Sequence, residues 1–221
     1  MPAKRLLLVE GADDKLIIPE FIERATKIPW EAEPKQYLVE IEPADGVERL
    51  LAPSYIQVRA KSPGLQSLGV ILDADLDTGS RWRSLRARCL PFCPDFPEQP
   101  APGGFLTELP TEKFPARIRF GAWLMPDNEE CGMLETFLLS LCLGDSSTPL
   151  LTHLDQAVEE SRQHGAAWKD CHRDKVRCHT YLAWQDPPGR QPVQALKEKL
   201  IDPTHPSGQS FVKWFRDLYQ V

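Results

Sequence analysis

Apolar residues follow two kinds of pattern along this chain. Continuous apolar runs such as residues 68–72 are typical of strands buried on both faces, whereas apolar residues three and four apart predict helices with one buried face. In chain order, the predicted strands lie at residues 5–9, 36–41, 68–73 and 117–125, and the predicted helices at 13–26, 47–60, 81–88 and 131–139. Alternating strands and helices build a parallel sheet with right-handed crossovers, so we expect an α/β fold with a central parallel sheet.

The C-terminal part of the chain has a helical pattern throughout. Helices are predicted at residues 150–164, 168–184, 191–201 and 209–219, separated by Gly, Pro and Asp signals. Residues 91–104 are rich in proline and glycine and predict a loop rather than a domain boundary. We therefore expect an α/β domain over residues 1–145 and a helical extension over residues 146–221 that packs on the same domain.

Composition narrows the class of protein. Of the 221 residues, 42% are hydrophobic and 26% are charged, which is ordinary for a globular protein. No apolar stretch approaches the roughly 18 residues of a membrane span, and residues 1–5 lead into a strand without a signal-peptide core. We expect a cytoplasmic protein without a membrane partner. Cys171 and Cys178, each followed by His, lie outside the usual spacing of structural zinc ligands, so buried or unreactive thiols are the better interpretation.

The net charge of −6 argues against a general electrostatic attraction to nucleic acid. The segment 81–88 is a local exception, because four arginines occur in it. Its basic face could contact phosphates. The alternative, which we favour from the sequence, is a solvated amphipathic helix that packs Trp82 and Leu85 against the core.

Acidic residues follow the predicted strands. Asp73 and Asp75 end the strand at 68–73, and alternation along an extended chain would point both side chains to the same side. Glu10 ends the first strand, and Gly11 allows a tight turn behind it. Ligands bind outside the carboxyl ends of strands in open α/β sheets, and carboxylates placed there can hold a hard divalent cation.

Three further acids allow two interpretations each. Asp13 and Asp14 suit the N-cap or first turn of the following helix, where a carboxylate accepts backbone N–H groups, or they belong with Glu10. Glu135 lies in an apolar helix, where a charge is costly unless it is paired or bound to a cation. Alternatively, Glu135 lies on the polar face of that helix with Ser140.

The motifs Val9-Glu10-Gly11 and Leu72-Asp73-Ala74-Asp75 resemble those of the Toprim domain of topoisomerases, bacterial primases, small ribonuclease-maturation enzymes and OLD-family nucleases. In that family, a glutamate after the first strand and an Asp-x-Asp after a later parallel strand together bind magnesium. The OLD-type branch also has an acid four residues after the glutamate and a later Leu-Glu pair, which Asp14 and Leu134-Glu135 resemble. More narrowly, the stretches 7–14, 73–75 and 125–135 resemble the bacterial Toprim-like family DUF3226.

This resemblance implies a Toprim-like, Rossmann-like fold and a metal-dependent nuclease acting on DNA or RNA. The implied metal ligands are Glu10, Asp14, Asp73, Asp75 and Glu135. Their all-oxygen set favours Mg²⁺, with Mn²⁺ as a substitute. The implied catalytic residues are Glu10, Asp73 and a lysine, for which Lys175 is the first candidate and Lys169 the second.

OLD proteins carry an ATPase, but this chain has no Gly-x4-Gly-Lys-Ser/Thr phosphate loop, so an ATPase would have to be a separate partner protein. Two other functions stay open. One is a magnesium-dependent hydrolase of nucleotides or small phosphoesters, which the acidic net charge favours. The other is a non-catalytic Toprim module that binds nucleic acid or a partner protein.

Overall fold

Strands and helices alternate in the N-terminal part of the structure, and helices make up the C-terminal part. The structure is a computed structural model that describes residues 4–32, 36–110, 117–142 and 149–221. The strands are β1 (Lys4–Val9), β2 (Glu31–Ala32), β3 (Gln36–Tyr37), β4 (Glu40–Pro43), β5 (Leu65–Asp73), β6 (Phe105–Pro110) and β7 (Arg117–Met125). The α-helices are α1 (Ala12–Thr26), α2 (Val47–Leu50), α3 (Tyr55–Ala60), α4 (Thr78–Cys89), α5 (Leu134–Cys142), α6 (Pro149–Gln163), α7 (Arg173–Ala183), α8 (Pro192–Lys197) and α9 (Gln209–Tyr219).

The central sheet has five strands in the order β4-β1-β5-β7-β6. The first four run parallel, which confirms the predicted α/β class and a mostly parallel sheet. The sheet departs from the parallel arrangement at one edge, where β6 pairs antiparallel with β7. The sequence-based prediction missed β6. This edge strand is buried at few positions, so it lacks the continuous apolar run that marks β5 and β7.

Helices cover both faces of the sheet. Side chains alternate along β1, so that Leu7 and Val9 join the core beneath one layer of helices while Leu6 and Leu8 join the core on the other face. The first layer contains α1 and the helices α5 to α9. The second layer contains α2, α3 and α4.

The C-terminal helix α9 lies against the sheet itself. The Tyr219 hydroxyl donates a hydrogen bond to the Leu6 carbonyl at 2.9 Å, and the Trp214 indole donates to the Phe105 carbonyl at 3.1 Å. The Arg119 guanidinium donates to the Leu218 carbonyl at 2.8 Å. The described C-terminal helices therefore share one core with the sheet. The predicted boundary between residues 145 and 146 lies outside the described residues.

Several predicted elements differ in detail from the structure. Pro53 splits the helix predicted over 47–60 into α2 and α3, as its missing N–H requires. The extended segment at 36–41 forms β3 and part of β4. The helix predicted from residue 131 begins at Leu134, because Gly132 has a φ of 143° that no helix accommodates. Among the described residues, no helix has the length and apolar character needed to cross a membrane.

Candidate functional site

The carboxyl ends of β1 and β5 meet at one edge of the sheet. These strands are parallel neighbours, with Leu8 opposite Val70. Glu10 directly follows β1, and Asp73 is the last residue of β5. The backbone N–H of Asp73 donates a hydrogen bond to Glu10 Oε1 at 2.9 Å. The structure therefore brings the two strand-end acids into contact.

Asp14 reaches the same edge from the first turn of α1. Its Oδ2 accepts a hydrogen bond from the backbone N–H of Gly11, the N-cap residue of α1, at 2.8 Å, as an acid at the third helical position does in a capping box. Its side chain is buried, and its charge raises the pKa of Asp73. Asp14 thus both caps the helix and belongs to the group of acids around Asp73. Asp13 is exposed and points to a different partner, Lys175.

The Asp75 side chain is placed by a turn after β5 and not, as predicted, by alternation along the strand. The strand ends at Asp73, and Asp75 has a left-handed conformation with a φ of 54°. Its backbone N–H donates to the Gly132 carbonyl, and the Gly132 N–H donates back to the Asp75 carbonyl, each at 2.8 Å. The Asp75 carboxylate forms an ion pair with Arg81 of α4. Strand alternation therefore does not place this side chain; a turn held by the loop before α5 does.

Glu135 is a buried acid near the start of α5, with only 6% of its surface exposed. Its Oε1 lies 3.3 Å from Lys175 Nζ. The alternative that Glu135 lies on a solvated polar helix face is therefore wrong. The residue before it, Leu134, donates its backbone N–H to Asp73 Oδ1 at 2.9 Å. The start of α5 is thus held directly against the end of β5.

Lys175 of α7 spans two elements of the site. Its Nζ lies 3.3 Å from Glu135 Oε1 and 3.6 Å from Asp13 Oδ2. Burial alone would lower the pKa of Lys175, but the carboxylates of Glu135 and Asp13 outweigh it and raise the pKa. Lys169, the second candidate, is exposed and forms no ion pair with any residue that the structure describes. Only Lys175 of the two candidates contacts the acids.

Three of the acids have raised pKa values, chiefly because of burial and secondarily because they lie near one another. Burial raises the pKa of Glu10 to about 7, although the Asp73 N–H and the Arg81 charge partly oppose this. Burial also raises the pKa of Asp14 to about 6, with Glu135 adding to the shift. The pKa of Asp73 is raised well above its usual value by burial and then by the charges of Asp14, Glu10, Glu135 and Asp75. Two cations, Arg81 and Lys175, balance only part of this negative charge.

The acids suit a divalent cation in the type of their donor atoms but not in their arrangement. The donor set is all carboxylate oxygen, which suits Mg²⁺ or Mn²⁺, and its excess negative charge is what a cation would neutralise. However, no three Asp, Glu, His or Cys side chains in the described part of the chain converge as a ready set of ligands. Asp75 turns to Arg81 and Glu135 turns to Lys175. Either side chain would have to leave its cationic partner before it could contact a metal ion.

Two residues outside the predicted set of metal ligands and catalytic residues contact members of that set. Arg81 pairs with Asp75, and Asp13 pairs with Lys175. The signal for Arg81 is its place in the basic segment that directly follows the acidic strand end. A third residue, Asn128, acts on the backbone: it is buried, and its Oδ1 accepts the Leu124 N–H at 2.8 Å. It thereby braces the loop that carries Gly132 to Asp75.

Comparison with known proteins gives one positive result. Residues 4–220 match the model of a family described as Protein of unknown function (DUF3226). The match includes both the sheet and the C-terminal helices. No curated protein and no solved structure matches the chain.

Proposed function

The chain belongs to the DUF3226 family, and we propose that it is a Mg²⁺-dependent enzyme that processes phosphodiesters, a nuclease of the Toprim type acting on DNA or RNA. One observation carries the proposal. Burial at the end of β5 raises the pKa of Asp73 well above the usual value, and four other carboxylates raise it further; they come from the end of β1, the first turn of α1, the turn after β5 and the start of α5. Acids gathered from separate elements at a sheet edge are costly without a function that uses their charge.

The placement of the acids supports the Toprim-like part of the proposal. Glu10 follows the first strand, and the Asp73-x-Asp75 pair follows the strand that lies parallel beside it. Asp14 and Glu135 add the two further acids that characterise the OLD-type branch. This chain and the Toprim pattern thus agree in the order of the motifs along the chain and in their position at one edge of the sheet.

Glu10, Asp73 and Asp75 would hold one Mg²⁺, with Asp14 and Glu135 available for a second. Bound at this edge, Mg²⁺ supplies Lewis-acid stabilisation of negative charge on a phosphodiester, and Mn²⁺ can substitute. Glu10 and Asp73 hold each other in place through the 2.9 Å hydrogen bond between Glu10 Oε1 and the Asp73 N–H. That contact orients the Glu10 carboxylate, and the Leu134 N–H orients the Asp73 carboxylate through Oδ1.

Lys175 is the candidate for contact with the substrate. Its side chain is 43% accessible, and its Nζ is paired with Glu135 and Asp13. When Glu135 turns to a cation, the ammonium group is free to donate hydrogen bonds to a phosphate oxygen and to stabilise charge that develops there. In this proposal any ATPase is a separate partner protein, because the sequence has no Gly-x4-Gly-Lys-Ser/Thr phosphate loop.

The test is cleavage of labelled DNA and RNA, single- and double-stranded, in Mg²⁺, in Mn²⁺ and in EDTA. The variants Glu10→Gln and Asp73→Asn should lose at least about 100-fold in rate, as expected when a charge-stabilising group is removed. Glu130→Gln is the matched control, because Glu130 is an exposed acid on the loop before α5. Wild-type activity in Asp73→Asn would overturn the proposal.

The same preparation separates the other functions. Hydrolysis of mononucleotides without cleavage of oligonucleotides would assign a small-phosphoester hydrolase. Absence of Mg²⁺ and Mn²⁺ binding by calorimetry, together with retained nucleic-acid binding, would assign a non-catalytic module.

A further inference from the structure

The arginines of α4 occupy two different electrostatic settings. Arg81 is paired with Asp75, and Arg86 lies 3.9 Å from Glu98. Arg83 and Arg88 are exposed, and neither forms an ion pair with any residue in the described ranges. The helix therefore carries two positive charges without an ion-pair partner among the residues described, on Arg83 and Arg88, in addition to the charge of Arg81 that is paired with the acids.

These two arginines lie on one face of α4. The opposite face is buried through Trp82, Leu85 and Cys89. The exposed face lines a groove of about 590 Å³, which we call the α4 groove, and its lining residues are Glu48, Leu51, Ser80, Arg83, Ser84, Ala87 and Arg88. The residues from α4 recur at helical spacing, so they form a continuous track.

The floor of the α4 groove allows a bound strand to approach the helix backbone closely. Ser80, Ser84 and Ala87 have small side chains, and the Ser84 hydroxyl is turned back to the Ser80 carbonyl at 3.0 Å. An extended chain can therefore lie near the helix backbone between the longer side chains of Arg83 and Arg88. Guanidinium groups bind phosphate in bidentate geometry, which makes such a track suited to a phosphodiester backbone.

We propose that the α4 groove binds the sugar-phosphate backbone of a nucleic-acid strand and leads it to the acids around Asp73. This inference rests on the proposed function and names the substrate surface of the same site. Arg81 lies on the same helix and is paired with Asp75, so the end of the track near Arg81 is the end closest to the acids. Arg88 lies roughly 10 Å further along the helix, at about 1.5 Å per residue, and a strand rising about 3.4 Å per nucleotide covers that distance in about three nucleotides.

In this proposal the groove contacts the phosphates of the strand and not its bases. Trp82, the aromatic residue of this segment, is fully buried, and its indole donates to the Pro97 carbonyl at 3.0 Å. It is therefore not available to stack on a base. Contacts to phosphates carry no sequence information, so binding in this groove is independent of sequence. Glu48 is the acid that lines the groove, and its charge opposes a bound phosphate.

The test is fluorescence anisotropy with a labelled single-stranded oligonucleotide in EDTA, where metal-dependent cleavage does not interfere. Arg83→Ala and Arg88→Ala should each weaken binding about 3- to 10-fold and reduce the slope of log affinity against log salt by about 0.7. Arg117→Ala is the control, because Arg117 is an exposed arginine on β7 that is paired with Glu108. Glu48→Gln should tighten binding about twofold, a gain that misfolding cannot produce.

Two results would overturn the role of the α4 groove without affecting the proposed function. In the first, the unmodified protein cleaves oligonucleotides, but the Arg83→Ala, Arg88→Ala double variant binds them as tightly as the unmodified protein. In the second, Arg117→Ala loses as much affinity as the groove variants. If the unmodified protein neither binds nor cleaves oligonucleotides, both proposals are overturned. Equal weakening for oligonucleotides of different sequence supports the groove.

Discussion

The backbone N–H of Leu134 donates a hydrogen bond to Asp73 Oδ1 at 2.9 Å, and this contact joins the end of β5 to the start of α5. The backbone N–H of Asp73 in turn donates to Glu10. Asp73 is thus connected to β1 through its backbone and to a helix N-terminus through its side chain. The positive end of a helix favours a nearby carboxylate, which offsets part of the repulsion from the surrounding acids. The contact makes Asp73 the centre of the site.

The first prediction concerns the repulsion at Asp73. Asp73→Asn keeps an oxygen for the Leu134 N–H and removes a charge that its neighbours repel. We expect the free energy of unfolding in EDTA to rise by on the order of 1 kcal/mol, measured by urea denaturation, because function and stability conflict at such sites. The stabilisation that Mg²⁺ confers should shrink. Lower stability in EDTA with an unchanged response to Mg²⁺ would contradict this, and Glu130→Gln is the control.

The second prediction is a pH dependence of stability without metal. Glu10 and Asp14 have pKa values raised to about 7 and about 6, so the folded protein keeps protons that the unfolded chain releases. The free energy of unfolding should therefore fall as pH rises from about 4 to about 7. Glu10 alone contributes on the order of 2–3 kcal/mol, at about 1.4 kcal/mol per pKa unit.

The measurement is urea unfolding in EDTA over this pH range. Glu10→Gln should flatten the dependence, and Mg²⁺ should oppose the loss at neutral pH because it stabilises the charged carboxylates. A free energy of unfolding that rises from pH 5 to pH 7 in EDTA to the same extent in both proteins would show that the folded protein does not raise the pKa of Glu10.

The third prediction separates the two lysines. Lys175→Ala removes the ammonium group that contacts Glu135 and Asp13, so cleavage should fall at least about tenfold. The same change should tighten Mg²⁺ binding several-fold, because the metal no longer competes with a cation for Glu135. Lys169→Ala is the matched control and should change neither quantity. Weaker Mg²⁺ binding in Lys175→Ala would contradict the proposed competition.

The fourth prediction tests the contact between α9 and the sheet. The buried Tyr219 hydroxyl donates to the Leu6 carbonyl at 2.9 Å. Tyr219→Phe should lower the free energy of unfolding by about 1–2 kcal/mol, the usual effect of losing a buried hydrogen bond. Tyr37→Phe provides the comparison, because Tyr37 is exposed and should leave stability within about 0.5 kcal/mol of the wild type.

The fifth prediction concerns the division of the chain at residue 145. A protein that ends there lacks Phe211, Trp214 and Phe215, which are buried in the core beneath the sheet. Exposing that apolar face should prevent cooperative folding and cause aggregation, detected by circular dichroism and gel filtration. A soluble fragment with a cooperative urea transition would show instead that the α/β part is an independent domain.

Much of the sheet could be predicted from the sequence. The strands β1, β5 and β7 are buried on both faces, so each contains a continuous apolar run, which is typical of a central parallel strand. The edge strand β6 has few buried positions and gives no such signal. Glu10 and Asp73 could also be predicted to meet, because neighbouring parallel strands end at the same edge of a sheet.

The fold class and the positions of the two strand-end acids therefore follow from the sequence alone, through local periodicity and the geometry of parallel strands. The pairing of the other charges depends on tertiary packing. Asp75 faces Arg81 because its turn is held by Gly132, and Lys175 reaches Glu135 because α7 packs against α5. Ion pairs between residues distant in sequence depend on which helices touch, and that is set by the packing of the whole core.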